Sequence, residues 1–132
     1  MNLRESEYLE NELSARWLDP ERAKNAYSYA LQFSSKDRYG LSEATVGAIE
    51  HVNIESYSVA DAWLKDRLPA DGTVQVVYGD DEVCVIAASD FLAKWQSIFV
   101  PARDDAIVLH NLGKGVLFYC HEEELEFGHR KA

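Results

Sequence analysis

Residues 73–87 read Thr73-Val-Gln-Val-Val-Tyr78-Gly79-Asp80-Asp81-Glu82-Val-Cys-Val-Ile-Ala87. Two β-rich runs flank a Gly-Asp-Asp turn, which is the pattern of a hairpin. Downstream, Ser89 or Asp90 caps a helix whose apolar face is Phe91, Leu92, Trp95, Ile98 and Phe99, and Pro101 stops it. Asp105 to His110 and Val116 to His121 then form a second hairpin around the turn Asn111 to Gly115. The stretch from Ser89 to Asp104 is long enough for a crossover between parallel neighbours. Residues 73–132 are therefore expected to be hairpin–helix–hairpin.

Working back toward the start, residues 1–72 read as helices. Leu9, Leu13 and Trp17 recur on one helical face. Asp19-Pro20 starts a second helix carrying Ala23, Ala26, Tyr27, Ala30 and Leu31. Residues 34–41 are a loop. Ser42 caps a third helix through about His51, with Leu41 and Val46 as its hydrophobic staple. Ser58 opens a fourth helix that Pro69 and Gly72 end. The expected fold class is α+β: N-terminal helices packed on one face of a four-stranded mixed sheet of β-β-α-β-β order, with residues 1–132 as a single domain. The 132 residues, 47% of them hydrophobic, suffice for one core without a disulfide or metal staple.

Composition narrows function by exclusion. The chain holds 23 acids against 13 bases, a formal charge of −10. Such a surface repels phosphate backbones, so nucleic-acid binding is disfavoured, while a basic protein partner is attracted. No apolar run reaches the ~18 residues of a membrane helix. The polar start Met1-Asn2-Leu3-Arg4-Glu5 lacks the features of a signal peptide, and the expected setting is the cytoplasm. Cys84 and Cys120 lie in apolar runs and read as buried thiols, Cys84 as half-buried beside Glu82.

The topology gives charge a location. Strands that begin after Asp81 and Asp104 and run the same way bring Asp80, Asp81, Glu82, Asp104, Asp105, Glu122, Glu123 and Glu124 to one rim, with Arg103 and His121 beside them. Such acids solubilise turns, dock a basic partner or ligate a divalent cation. Docking is the leading expectation: a non-catalytic, immunity- or adaptor-like protein-binding domain. A small metal-dependent enzyme using the same carboxylates is the alternative, and a homodimer through an exposed strand edge or an outward Trp is the third.

Motifs for other chemistries are weak. Gly113-Lys114-Gly115 is too short for a phosphate loop and closes a hairpin, and there is no Gly-x-Ser-x-Gly elbow. His121 and His129 are eight apart in a strand and frayed tail, which is poor ligand spacing. Cys120 and His121, as strand neighbours, point to opposite faces and so form no pair. No cofactor, metal or catalytic residue is expected.

Overall fold

The structure is a computed structural model that describes residues 3–131. Its elements are α1 (Leu3–Glu10), β1 (Arg16–Trp17), α2 (Pro20–Leu31), β2 (Val46–Asn53), α3 (Tyr57–Arg67), β3 (Thr73–Gly79), β4 (Glu82–Ala87), α4 (Ala88–Ile98), β5 (Ala106–His110), β6 (Gly115–Cys120) and β7 (Glu124–Arg130). No helix among the described residues is long and apolar enough to cross a membrane.

The α+β class holds, but the sheet has seven strands, in the order β1-β4-β3-β5-β6-β7-β2, and every neighbouring pair is antiparallel. This corrects the four-stranded mixed sheet. β4 and β5 do run the same way, because both pair antiparallel with β3. The β4–α4–β5 crossover spans β3 instead of joining neighbours. With β3 already seated between them, β4 and β5 have no shared edge to pair along.

The helices also sit on both faces, not one. Val74, Val76, Cys84, Ile86, Val108, Leu117 and Tyr119 meet Tyr8 of α1, Leu64 of α3, and Phe91 and Trp95 of α4. Val77, Val83, Ile107, Leu109, Val116 and Phe118 meet Ala23 and Ala30 of α2, with Phe33 and Leu41. Period-two alternation sends successive side chains to opposite faces, so β5 and β6 are buried throughout.

The helix expected over 42–51 is instead the edge strand β2. Between Gly47 and Glu50 it advances three residues while β7 advances two, from His129 to Phe127. This is a β-bulge, and Ala48 sits in it at φ 55°. The extra residue puts Val46 and Ile49 against the same cluster. That spacing of three mimics a helical stripe. Gly128 faces the bulge, where a Cβ would come 2.5 Å from Val46 Cγ1 and 2.8 Å from the Gly47 carbonyl.

The expected frayed tail is β7, which fills the gap between β6 and β2. Leu125 and Phe127 face the α3–α4 side. The expected first helix stops at Glu10, and Glu12 turns the chain at φ 59°. Leu9 is exposed, Tyr8 is the buried residue, and Trp17 lies in β1 instead of on a helix. Asp19 caps α2 as expected, accepting from the Arg22 amide at 2.9 Å. The cap of α3 is Ser56, not Ser58, and that of α4 is Ala87, not Ser89 or Asp90.

Candidate functional site

Three connections converge on one end of the sheet. The β3–β4 turn closes on the pair Gly79 and Glu82. Asp104 and Asp105 lead into β5, whose Ala106 pairs with Tyr119. The β6–β7 turn spans 121–123, between the paired Cys120 and Glu124. All eight acids of the rim lie on these three segments, but they fall into different environments.

Asp104 is 2% exposed. Its carboxylate accepts from the Val100 amide at 2.8 Å, Arg4 Nη1 at 3.1 Å and Arg103 Nε at 2.8 Å. Burial alone would raise its pKa, but these donors outweigh it and hold the carboxyl below its ordinary value. Arg4 also donates to Glu82 at 3.0 Å and lies 3.7 Å over the Tyr78 ring. Arg103 makes a two-pronged contact with Glu7, both arms at 2.8 Å. The two arginines therefore clamp α1 to the sheet end, supported beneath by the 2.6 Å Tyr8–Tyr78 hydroxyl contact. Glu82 and Asp104 belong to this clamp. Sequence reasoning saw Arg103 but missed Arg4, since nothing local links residue 4 to residue 104.

Asp105 pairs with His121. Its Oδ1 lies 2.9 Å from His121 Nδ1 and accepts from the His121 amide at 2.9 Å. That carboxylate partner raises the imidazole pKa. Tyr39 packs edge-on against the same ring at 5.0 Å. Cys120 Sγ lies 4.0 Å from His121 Nδ1, which corrects the expectation that the two point apart. Cys120 closes β6 and His121 is already in the turn, so strand alternation no longer applies between them. Cys84 is fully buried rather than half-buried, and burial pushes its thiol up to about 12.

Glu123 adopts φ 60° and accepts from the Tyr57 hydroxyl at 3.0 Å. Glu124 is the first residue of β7, opposite Cys120 and Asn53. Asp80, Asp81 and Glu122 are the exposed members. Asp80 and Asp81 form no ion pair with a described residue, and Glu122 reaches only His121 Nε2, at 3.9 Å.

A groove opens beside Asp105 on the α2 side. It holds about 190 Å3, between Tyr27, Leu31 and Tyr39 on one wall and Ile107 and Phe118 on the other. Tyr39 and Leu31 are 61% and 46% exposed, so much of this wall faces outward. A larger hollow of about 790 Å3 lies within the curl of residues 31–45, away from the rim acids.

The loop that carries Tyr39 is latched to β7. Glu126, 6% exposed, accepts from the Leu41 amide at 2.8 Å and from Arg38 at 2.7 and 3.3 Å, with His51 Nδ1 at 3.4 Å. A Cβ on Gly40 would strike the Arg38 guanidinium and come 2.7 Å from Glu126 Oε1. Glu126 was absent from the expected site because it sits inside an alternating strand, where its reach across to residue 38 leaves no local mark. No protein-family model, curated protein or solved structure matches the chain.

Proposed function

We propose that this protein is a non-catalytic binding domain that receives a basic protein partner at the sheet end bearing Asp80, Asp81, Asp105 and Glu122. The observation that carries this reading is the aromatic groove ending at Asp105. Tyr27, Tyr39 and Phe118 line it with aromatic rings, and Asp105, which also holds His121, lines it with a carboxylate, a combination suited to an inserted Arg or Lys side chain. The net charge of −10 adds long-range attraction. Only part of the rim is offered to a partner: Glu82 and Asp104 are engaged by Arg4 and Arg103. The same engagement disfavours a cation-dependent hydrolase built on these carboxylates, since two are already neutralised. Dimerisation through a strand edge is disfavoured by edge shape: β1 is two residues long and β2 is bulged.

The test is capture of partners at low and high salt, followed by kinetics on the purified pair. The partner is expected to be basic. Its association rate should fall about tenfold or more between ~0.05 and ~0.5 M salt. Replacing Asp80, Asp81 and Glu122 together by lysine should slow association by about tenfold and flatten that salt dependence. Tyr39→Ala should act mainly on dissociation, costing about 1–2 kcal/mol as an aromatic anchor. An association rate indifferent both to salt and to the triple reversal would overturn the reading.

A further inference from the structure

We propose that Asp105, Cys120 and His121 form a binding site for one zinc-class divalent ion. An Asp105 oxygen, Cys120 Sγ and His121 Nδ1 all lie within 4.8 Å of one another. Asp105 Oδ1 and His121 Nδ1 are 2.9 Å apart, and Cys120 Sγ is 4.0 Å from the same nitrogen. Around a tetrahedral zinc with bonds of ~2.0–2.3 Å, neighbouring donors stand roughly 3.3–3.8 Å apart. The 2.9 Å pair must open and the 4.0 Å pair must close by less than about 1 Å each to reach that spacing.

The donor set is specific. Thiolate and imidazole select zinc-like ions over Mg2+ and Ca2+, which prefer all-oxygen shells. Three protein donors leave a fourth position for water. On binding, the Nδ1 proton that His121 donates to Asp105 is released, the neutral imidazole keeping its proton on Nε2, and the freed Nδ1 lone pair and an Asp105 oxygen bind the ion. The Cys120 thiol loses its proton to solvent as the sulfur–metal bond forms.

The surroundings hold the donors in place. The His121 amide donates to Asp105 Oδ1 and Tyr39 braces the imidazole edge-on, while Glu122 lies 3.9 Å from Nε2, close enough for attraction but beyond hydrogen-bond length. Cys120 is 2% exposed and packs in the α2-side apolar cluster beside His121. The acidic rim concentrates cations at its mouth. The ion would tie the start of β5 to the β6–β7 turn. This site uses none of the clamp residues, and it shares Asp105, Tyr39 and Glu122 with the docking face, so a bound ion would take the Asp105 carboxylate from an inserted side chain.

The experiment is calorimetric titration of the reduced, chelator-stripped full chain with Zn2+, paired with Co2+ absorption. The expected result is one ion per chain, a thiolate-to-cobalt charge-transfer band, a higher melting temperature with Zn2+ and no competition from excess Mg2+. Cys120→Ser should abolish the charge-transfer band. Asp105→Asn, a half-exposed change that keeps an acceptor for the His121 amide, should weaken binding by tenfold or more, in line with the ~10–100-fold typical even of outer partners. His129→Gln should change nothing. Absence of Zn2+ binding, or binding that survives both Asp105→Asn and Cys120→Ser, would overturn the proposal.

Discussion

Asp104→Ala is expected to lower the unfolding free energy by about 3 kcal/mol. The loss comes less from the attraction removed than from what is stranded. The Val100 amide and two guanidiniums converge on this one carboxylate. Arg4 is held in place by Glu82 and the Tyr78 ring, with its side chain only 13% exposed, so it cannot simply swing into water. Arg103 is about a third exposed and keeps Glu7, so its share of the loss is discounted for solvent screening. Asp104→Asn keeps acceptor capacity and should cost roughly half as much. Urea unfolding measures both, and a midpoint unmoved by Asp104→Ala would show that the clamp contributes nothing. The same variant should loosen α1, which hydrogen exchange in residues 3–10 would register before global unfolding.

Glu126→Ala is expected to cost a similar amount, about 3 kcal/mol, and to free the loop over 34–41. The Leu41 amide is left buried without its acceptor, and Arg38 loses its carboxylate while keeping the Leu41 and Tyr39 carbonyls. Because Tyr39 rides on this loop, the groove should lose its outer wall, and partner binding should weaken along with stability. The latch also carries a pH signature. Burial would raise the Glu126 pKa, but Arg38, the Leu41 amide and His51 together hold it below its ordinary 4.5. A depressed carboxyl stabilises above 4.5, and that stability is lost as pH falls through the folded value. His51 is shifted the other way, upward from 6.5, first by Asn53 and then by Glu126. A raised histidine stabilises below 6.5 and loses its contribution as pH rises through the folded value. The latch is therefore strongest between about 4.5 and 6.5. Asp104 adds a second acid-labile element, held below its ordinary 3.8. Stability against pH should fall on the acid side, and Glu126→Gln should remove the part of that fall lying nearest 4.5.

The hairpins over 73–87 and 105–121 and the helices carrying Ala23 and Trp95 were readable because each is a local pattern. Turn residues, caps and periodicity act over a few positions, and the chain states them directly. The β7 strand was readable in principle, since Leu125 and Phe127 alternate with Glu126 and Gly128, but the acidic run before them and the glycine within it weaken the strand pattern. β2 was not readable. Its bulge exists because Gly128 on another strand leaves room for it, and the resulting three-residue spacing imitates a helix.

The site divides the same way. Sequence alone determined that acids would crowd the turns, because Gly, Asp and Glu runs separate the β-rich stretches. Those turns share one sheet end because β4 and β5 both pair antiparallel with β3, not through the parallel-neighbour crossover that the connection length suggested. It could not say which acids would be neutralised. Arg4 meets Asp104 across a hundred residues, Arg38 meets Glu126 across 88, and Cys120 meets His121 only because the strand ends between them. Those pairings depend on which helix lands on which face. That is set by burying two apolar clusters on opposite sides of one sheet, a global packing outcome with no local signature. The chain therefore specified the amount of charge and the turns that carry it, and packing decided which part of it is neutralised and which part stays exposed.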